Sequence, residues 1–141
     1  MIFRNQAIVA ALLAWLFAQA IKFATNWWKN RRIDFTAFVS TGGMPSAHSA
    51  SVCGLAASIG KHSGVDAPVF AVALWFALIV MFDAQSVRRA AGEQAKILNQ
   101  IIDELLNHHH LSQKKLAELL GHTRLEVFAG MSLGILVGLL I

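Results

Sequence analysis

The chain has 141 residues, of which 56% are hydrophobic and only 14% charged, with a formal net charge of +4. A soluble domain usually carries about 25% charged residues, so the deficit sets this chain apart from that class and points to a small integral membrane protein. The basic residues flank apolar segments, which favours membrane orientation, anionic headgroups or a phosphate site; no motif supports nucleic acid as a partner.

The first spanning candidate runs from Ala7 to about Ala24, with Trp27 and Trp28 placed for an interfacial belt. Arg4, the apolar run and Ala18-Gln19-Ala20 imitate a secretory signal with its cleavage site. Lys22 and the basic cluster after it argue instead for a retained helix. Residues 25–43 read as a polar connection. A second helix is predicted from Pro45 to Ile59, short and rich in small residues. Ala50, Gly54 and Ser58 recur every four positions, a spacing that lets helices pack closely in lipid. Cys53, the single cysteine, has no internal disulfide partner and lies among small apolar residues, as a core position would.

Gly60 to Asp66 reads as a turn, and Ala67 to Phe82 as a strongly apolar third helix ending at Asp83. From Gln94 to Leu106, Ile97, Leu98, Ile101, Ile102, Leu105 and Leu106 recur at helical spacing with polar residues between them. That pattern predicts an amphipathic helix on the membrane or against the bundle. His108-His109-His110 follows, then a short helical stretch to Leu120 closed by Gly121, a C-cap residue. The last helix is predicted from His122 to Ile141. The expected fold is therefore all-α: one domain over residues 1–141, a small polytopic bundle of about four membrane-embedded helices plus an amphipathic helix.

Four crossings place residues 25–44 and 83–124 on one side of the membrane. That side holds ten of the twelve Lys and Arg residues; Arg4 and Lys61 lie on the other. The positive-inside rule makes the basic side cytoplasmic, with the N-terminus opposite. Residues able to do chemistry converge there: Lys22 at the end of the first helix, His48 at the start of the second, Asp83, Arg88 and Arg89 after the third, and His122 with Glu126 at the start of the last. Ionisable residues at such positions in membrane helices are a functional hypothesis by default.

The stretch Thr41-Gly42-Gly43-Met44-Pro45-Ser46-Ala47-His48 carries the strongest local signal. Glycines let a backbone approach a ligand, Pro45 suits the first turn of a helix, and the free N–H groups there attract anions, phosphate above all. Read blandly, it is a glycine turn that starts a buried helix. His122 and Glu126 are four apart, a spacing that puts a carboxylate beside an imidazole, fixing its tautomer and stabilising the cation formed on attack. With His48 to protonate a leaving oxygen and cations to neutralise phosphoryl oxygens, these parts suffice for phosphoester hydrolysis without a metal. The bland alternative is a solvated helix contact.

These residues resemble the divergent branch of the type 2 phosphatidic acid phosphatase superfamily, which also includes bacterial acid phosphatases and vanadium-dependent haloperoxidases. Pro45-Ser46-Ala47-His48 resembles its P-S-G-H motif, with Ala for Gly. His122 and Glu126 resemble the end of S-R-x5-H-x3-D, with Glu for Asp. Lys22 and Lys29 resemble K-x6-R-P, with Lys for Arg and no proline. Leu116 stands where the third motif has Arg. GGMPSAHSA, DAQSVRRAAGEQA and GHTRLEV extend the likeness over nearly the whole chain. The resemblance implies His122 as nucleophile, Glu126 as its orienting partner and His48 as general acid. It implies Lys22, Lys29, Gly43, Ser46 and Arg88 or Arg89 around the phosphate, with Asp83 in support.

The function expected is hydrolysis of a lipid phosphate or pyrophosphate at the cytoplasmic face through a phosphohistidine, with no cofactor and no metal. The alternative is a non-catalytic protein that binds anionic headgroups or acts as a scaffold, a reading that the departures at Lys29 and Leu116 favour, because Lys does not replace Arg at a bidentate phosphate site. The adjacent histidines 108–110 rarely supply a closed metal site. The partners expected are the bilayer and a phosphorylated lipid, with a homo-oligomer left open.

Overall fold

The computed structural model describes the backbone of residues 4–30, 43–106 and 122–141. The histidines 108–110, Leu116, Gly121, Gly42 and the basic residues 31, 32, 114 and 115 lie outside the described residues, as do the side chains of Lys29, Arg88 and Arg89. The described elements are all helical: α1 (Gln6–Asn30), α2 (Ala47–Ser63), α3 (Pro68–Phe82), a π-turn (Asp83–Val87), α4 (Arg88–Leu106) and α5 (Arg124–Leu140). The expected all-α membrane bundle is what the chain forms, with several boundaries moved.

α1 runs past Ala24 to Asn30, so Trp27, Trp28 and Lys29 belong to its last turns rather than to a polar connection. Asn5 starts it, its side-chain oxygen accepting from the N–H of Ala7 at 3.1 Å and of Ile8 at 3.3 Å. α2 begins later than predicted. Ser46 is the N-cap and Pro45 precedes it, outside the helix, after a cis Met44–Pro45 bond. It also ends later: Gly60 is helical, and the chain leaves at Gly64, whose φ of 86° is a conformation that L side chains rarely adopt. Pro68 opens α3 at its first turn, where the missing N–H costs nothing.

The larger correction concerns the region after Phe82. Instead of a break and a new helix at Gln94, the helical path continues from Pro68 to Leu106 through the π-turn. α4 is amphipathic as predicted, with Ile97, Leu98 and Ile101 exposed.

The bundle has small residues inside and large ones outside. On α3 only Ala73 and Ala77 are buried, whereas Trp75 is 67% and Phe82 68% exposed. A water-soluble protein inverts that distribution; in lipid, small residues bring backbones together and large apolar ones face the acyl chains. The segments Gln6–Trp28 and Pro68–Asp103 are each long and apolar enough to cross a membrane. α2 and α5, with 17 residues each, span about 25 Å and form the inner pair of the bundle.

Their contact is the closest among the described helices. Gly130, Gly134 and Gly138 of α5 lie against the backbone of α2. A Cβ at these positions would come within 2.3 Å of the Ser46 carbonyl oxygen, 2.2 Å of that of Ala50 and 2.5 Å of that of Gly54. Gly54 in turn lies against α1, where a Cβ would meet that of Ala14 at 3.0 Å. The small-residue stripe predicted on α2 is therefore half of an interface. Its other half, Gly-x3-Gly-x3-Gly on α5, was readable from the same spacing rule. At the far end Lys61 Nζ donates to the Leu139 carbonyl at 2.9 Å, tying the C-terminus of α2 to that of α5.

Candidate active site

The ends of α1, α3 and the beginnings of α2 and α5 meet at one end of the bundle. Three contacts define that end. The Ser46 N–H donates to the Glu126 carbonyl at 2.9 Å, and the His122 N–H to the Ala84 carbonyl at 3.0 Å. Gly43, at φ 94°, lies beside the Lys22 side chain, whose Cγ and Cδ would be 4.0 Å from a Cβ there.

His122 is buried, with 3% of its surface exposed. It does not lie on the helix, as its spacing to Glu126 suggested. It precedes Thr123, the N-cap of α5, and the contact forms because Thr123 and Glu126 make a reciprocal capping box. One carboxylate oxygen of Glu126, Oε2, accepts from the Thr123 N–H at 2.9 Å and lies 3.1 Å from His122 Nδ1. An ionised carboxylate only accepts, so Nδ1 carries a proton, and in the neutral ring Nε2 then holds the lone pair. The sequence Thr123-Arg124-Leu125-Glu126 announces such a box, a signal the sequence reading passed over.

Lys22 is buried on α1, 5% exposed, and its ammonium is attracted by the Glu126 carboxylate. Glu126 thus acts electrostatically on Lys22 as well as contacting the imidazole of His122. Ser46 is fully buried, and its hydroxyl oxygen accepts from the N–H of Ser49 at 3.4 Å and from its hydroxyl at 3.1 Å. Its oxygen caps α2, leaving its proton as the group available to a ligand. Ser49, also fully buried, was not singled out from the sequence. His48 is exposed in the first turn of α2.

The remaining predicted residues are placed less closely. Lys29 lies two turns beyond Lys22 on α1, and Arg88 and Arg89 open α4 directly after the π-turn. Asp83 starts the π-turn and lines a shallow outward groove with Trp75, Leu78, Ile79 and Phe82. No group of three or more His, Cys, Asp or Glu residues is arranged to hold a metal ion among the described residues.

The chain is thus a membrane helical bundle in which a buried imidazole, a carboxylate behind it and a buried lysine gather near helix N-termini. The chain belongs to the Divergent PAP2 family, whose model matches residues 3–137. It is 41% identical to the "Uncharacterized membrane protein YuiD" of Bacillus subtilis (strain 168), over 97% of this chain and 94% of that protein. No solved structure matches it.

Proposed function

We propose that the protein is a membrane-integral phosphatase that hydrolyses a lipid phosphate or pyrophosphate at the cytoplasmic face, with all of residues 1–141 forming the phosphatase-like unit. The observation that carries this reading is the contact between His122 Nδ1 and Glu126 Oε2 at 3.1 Å, which leaves Nε2 as a nucleophile. The excess of Lys and Arg on this side of four crossings supports its cytoplasmic location.

In the first step Nε2 of His122 attacks phosphorus. An N–P bond forms, the P–O bond to the lipid or diphosphate breaks, and His48 gives its proton to the departing oxygen. Glu126 stabilises the positive charge on the ring. Lys22, Lys29, the Ser46 hydroxyl, the Gly43 backbone and Arg88 or Arg89 bind the phosphoryl oxygens; Asp83 orients a cation among them. In the second step neutral His48 takes a proton from water, whose oxygen attacks phosphorus. The N–P bond breaks and inorganic phosphate leaves. Neither step uses a metal.

The second reading is a protein that keeps the same site to hold anionic headgroups without turnover. Leu116, standing where the family's third motif has Arg, favours it. Phosphate release from a panel of lipid phosphates and diphosphates, with EDTA present, separates the two. Metal-independent release that disappears in both His122→Ala and His48→Ala is the expected outcome. A folded protein that releases no more than those variants across the panel leaves headgroup binding as the function.

A further inference from the structure

We infer that the π-turn at Asp83–Val87 is the device that positions His122, and that Ala84 is the positioning residue. The inference rests on the phosphohistidine reading for its consequence, although the contact itself stands apart from it. His122 lies before the N-cap of α5, so no helical hydrogen bond fixes its backbone. Its N–H is held instead by the Ala84 carbonyl at 3.0 Å, and Ala84 is 1% exposed.

The sequence of an ordinary α-helix would not present that carbonyl. An α-helix directs each carbonyl along its axis to the N–H four residues on. A π-turn takes one residue more per hydrogen bond, which moves the carbonyls around it out of α-helical register. The Ala84 carbonyl finds its donor elsewhere, in the His122 N–H. The imidazole is then anchored from two directions, its backbone by the α3–α4 path and its Nδ1 by Glu126 of α5. With both fixed, Nε2 has one position. A displacement of about 1 Å from attack geometry costs about 100-fold in rate, so the anchor acts on kcat. If the contact were only a satisfied backbone donor, its loss would lower stability without a selective effect on the histidine.

Deleting Gln85 shortens the five-residue turn to α-helical length and returns Ala84 to the helix's own ladder. The shortened turn winds the chain through nearly the same angle as the π-turn did, so α4 keeps its phase. Hydrogen exchange of the His122 amide and phosphate-release kinetics are measured on the full-length protein in detergent. In the wild type the His122 amide is expected to exchange at least about 100-fold more slowly than an unstructured amide, an opening free energy near 3 kcal/mol. In the deletion variant that protection falls at least tenfold while the amides of residues 127–137 keep theirs. There kcat falls about 10- to 100-fold with KM within about threefold, and the deletion adds nothing in a His122→Ala background. Ala84→Val, which forces a branched side chain into the same buried turn, is the second variant and carries the same expectations.

A wild-type His122 amide that exchanges like an unstructured one overturns the inference. So does a deletion that leaves protection and kcat unchanged, or one whose loss is additive with His122→Ala. If the wild type releases no phosphate, the phosphatase reading fails by itself and the exchange data alone decide the anchor. If both variants fail to fold, wild-type protection decides it.

Discussion

His62 and His122 stand at opposite ends of the bundle, and the two are held in opposite ways. His62, in the last turn of α2, is exposed and donates Nδ1–H to the Ser58 carbonyl of its own helix at 2.9 Å. His122, before the first turn of α5, is buried and turns Nδ1 to a carboxylate at 3.1 Å. The first neighbours a helix C-terminus, where partial negative charge favours a cation. The second neighbours N-termini, where partial positive charge favours an anion. Both rings have a fixed tautomer, yet only His122 has a carboxylate behind it and buried Lys22 beside that carboxylate. What separates a capping histidine from a candidate nucleophile is therefore its surroundings, not the imidazole itself.

That contrast can be broken most sharply by truncating each ring. His122→Ala is expected to lower phosphate release by about 10³-fold or more, whereas His62→Ala changes it less than about twofold. Equal losses measured in one detergent assay would make both effects structural. Glu126→Gln keeps an acceptor for the Thr123 N–H but removes the negative charge behind the ring, and release is expected to fall about 10²- to 10⁴-fold. A Gln variant with wild-type turnover would reduce Glu126 to a helix cap.

Much of the bundle was legible before any coordinates. Hydropathy marked α1 and α3, the start of α2 was expected at Pro45 and falls at Ala47, and the topology expected from the sequence put His48 and His122 at one end. The α2–α5 interface was legible on one side only, through Ala50, Gly54 and Ser58. Spacing along one helix cannot tell which other helix presents the matching glycines.

That interface gives a further contrast, between crowded and open glycines. Gly134→Ala would place a Cβ 2.2 Å from the Ala50 carbonyl and 2.9 Å from the Gly54 nitrogen. Two backbones must separate, and the expected loss is about 3 kcal/mol in thermal unfolding. Gly64→Ala meets nothing within 4 Å and carries only the strain of φ 86° with ψ 150°, about 1–3 kcal/mol. If Gly134→Ala unfolds no earlier than Gly64→Ala, the close α2–α5 contact is not what holds the inner pair together. The smallest effect belongs to the end opposite His122: Lys61→Met loses one capping bond to Leu139, worth about 0.3–1 kcal/mol, and leaves turnover unchanged.

Composition alone determined that this chain lives in a membrane, because 14% charged residues cannot dress a soluble surface. Local order determined where helices begin: apolar runs of sufficient length, Pro68 in a first turn, a Ser or Thr at each inner N-cap. The tertiary structure decided what those starts do. A helical reading of His122 and Glu126 put both on one helix; the capping box instead set the imidazole outside it and buried. Nothing in Asp83-Ala84-Gln85-Ser86-Val87 announces a π-turn, because one of the bonds that accompany it comes from His122, a residue distant in the chain. Local propensity fixes the ladder within a helix. Where that ladder opens to take a donor from elsewhere depends on which helices pack together, and only the assembled bundle specifies that.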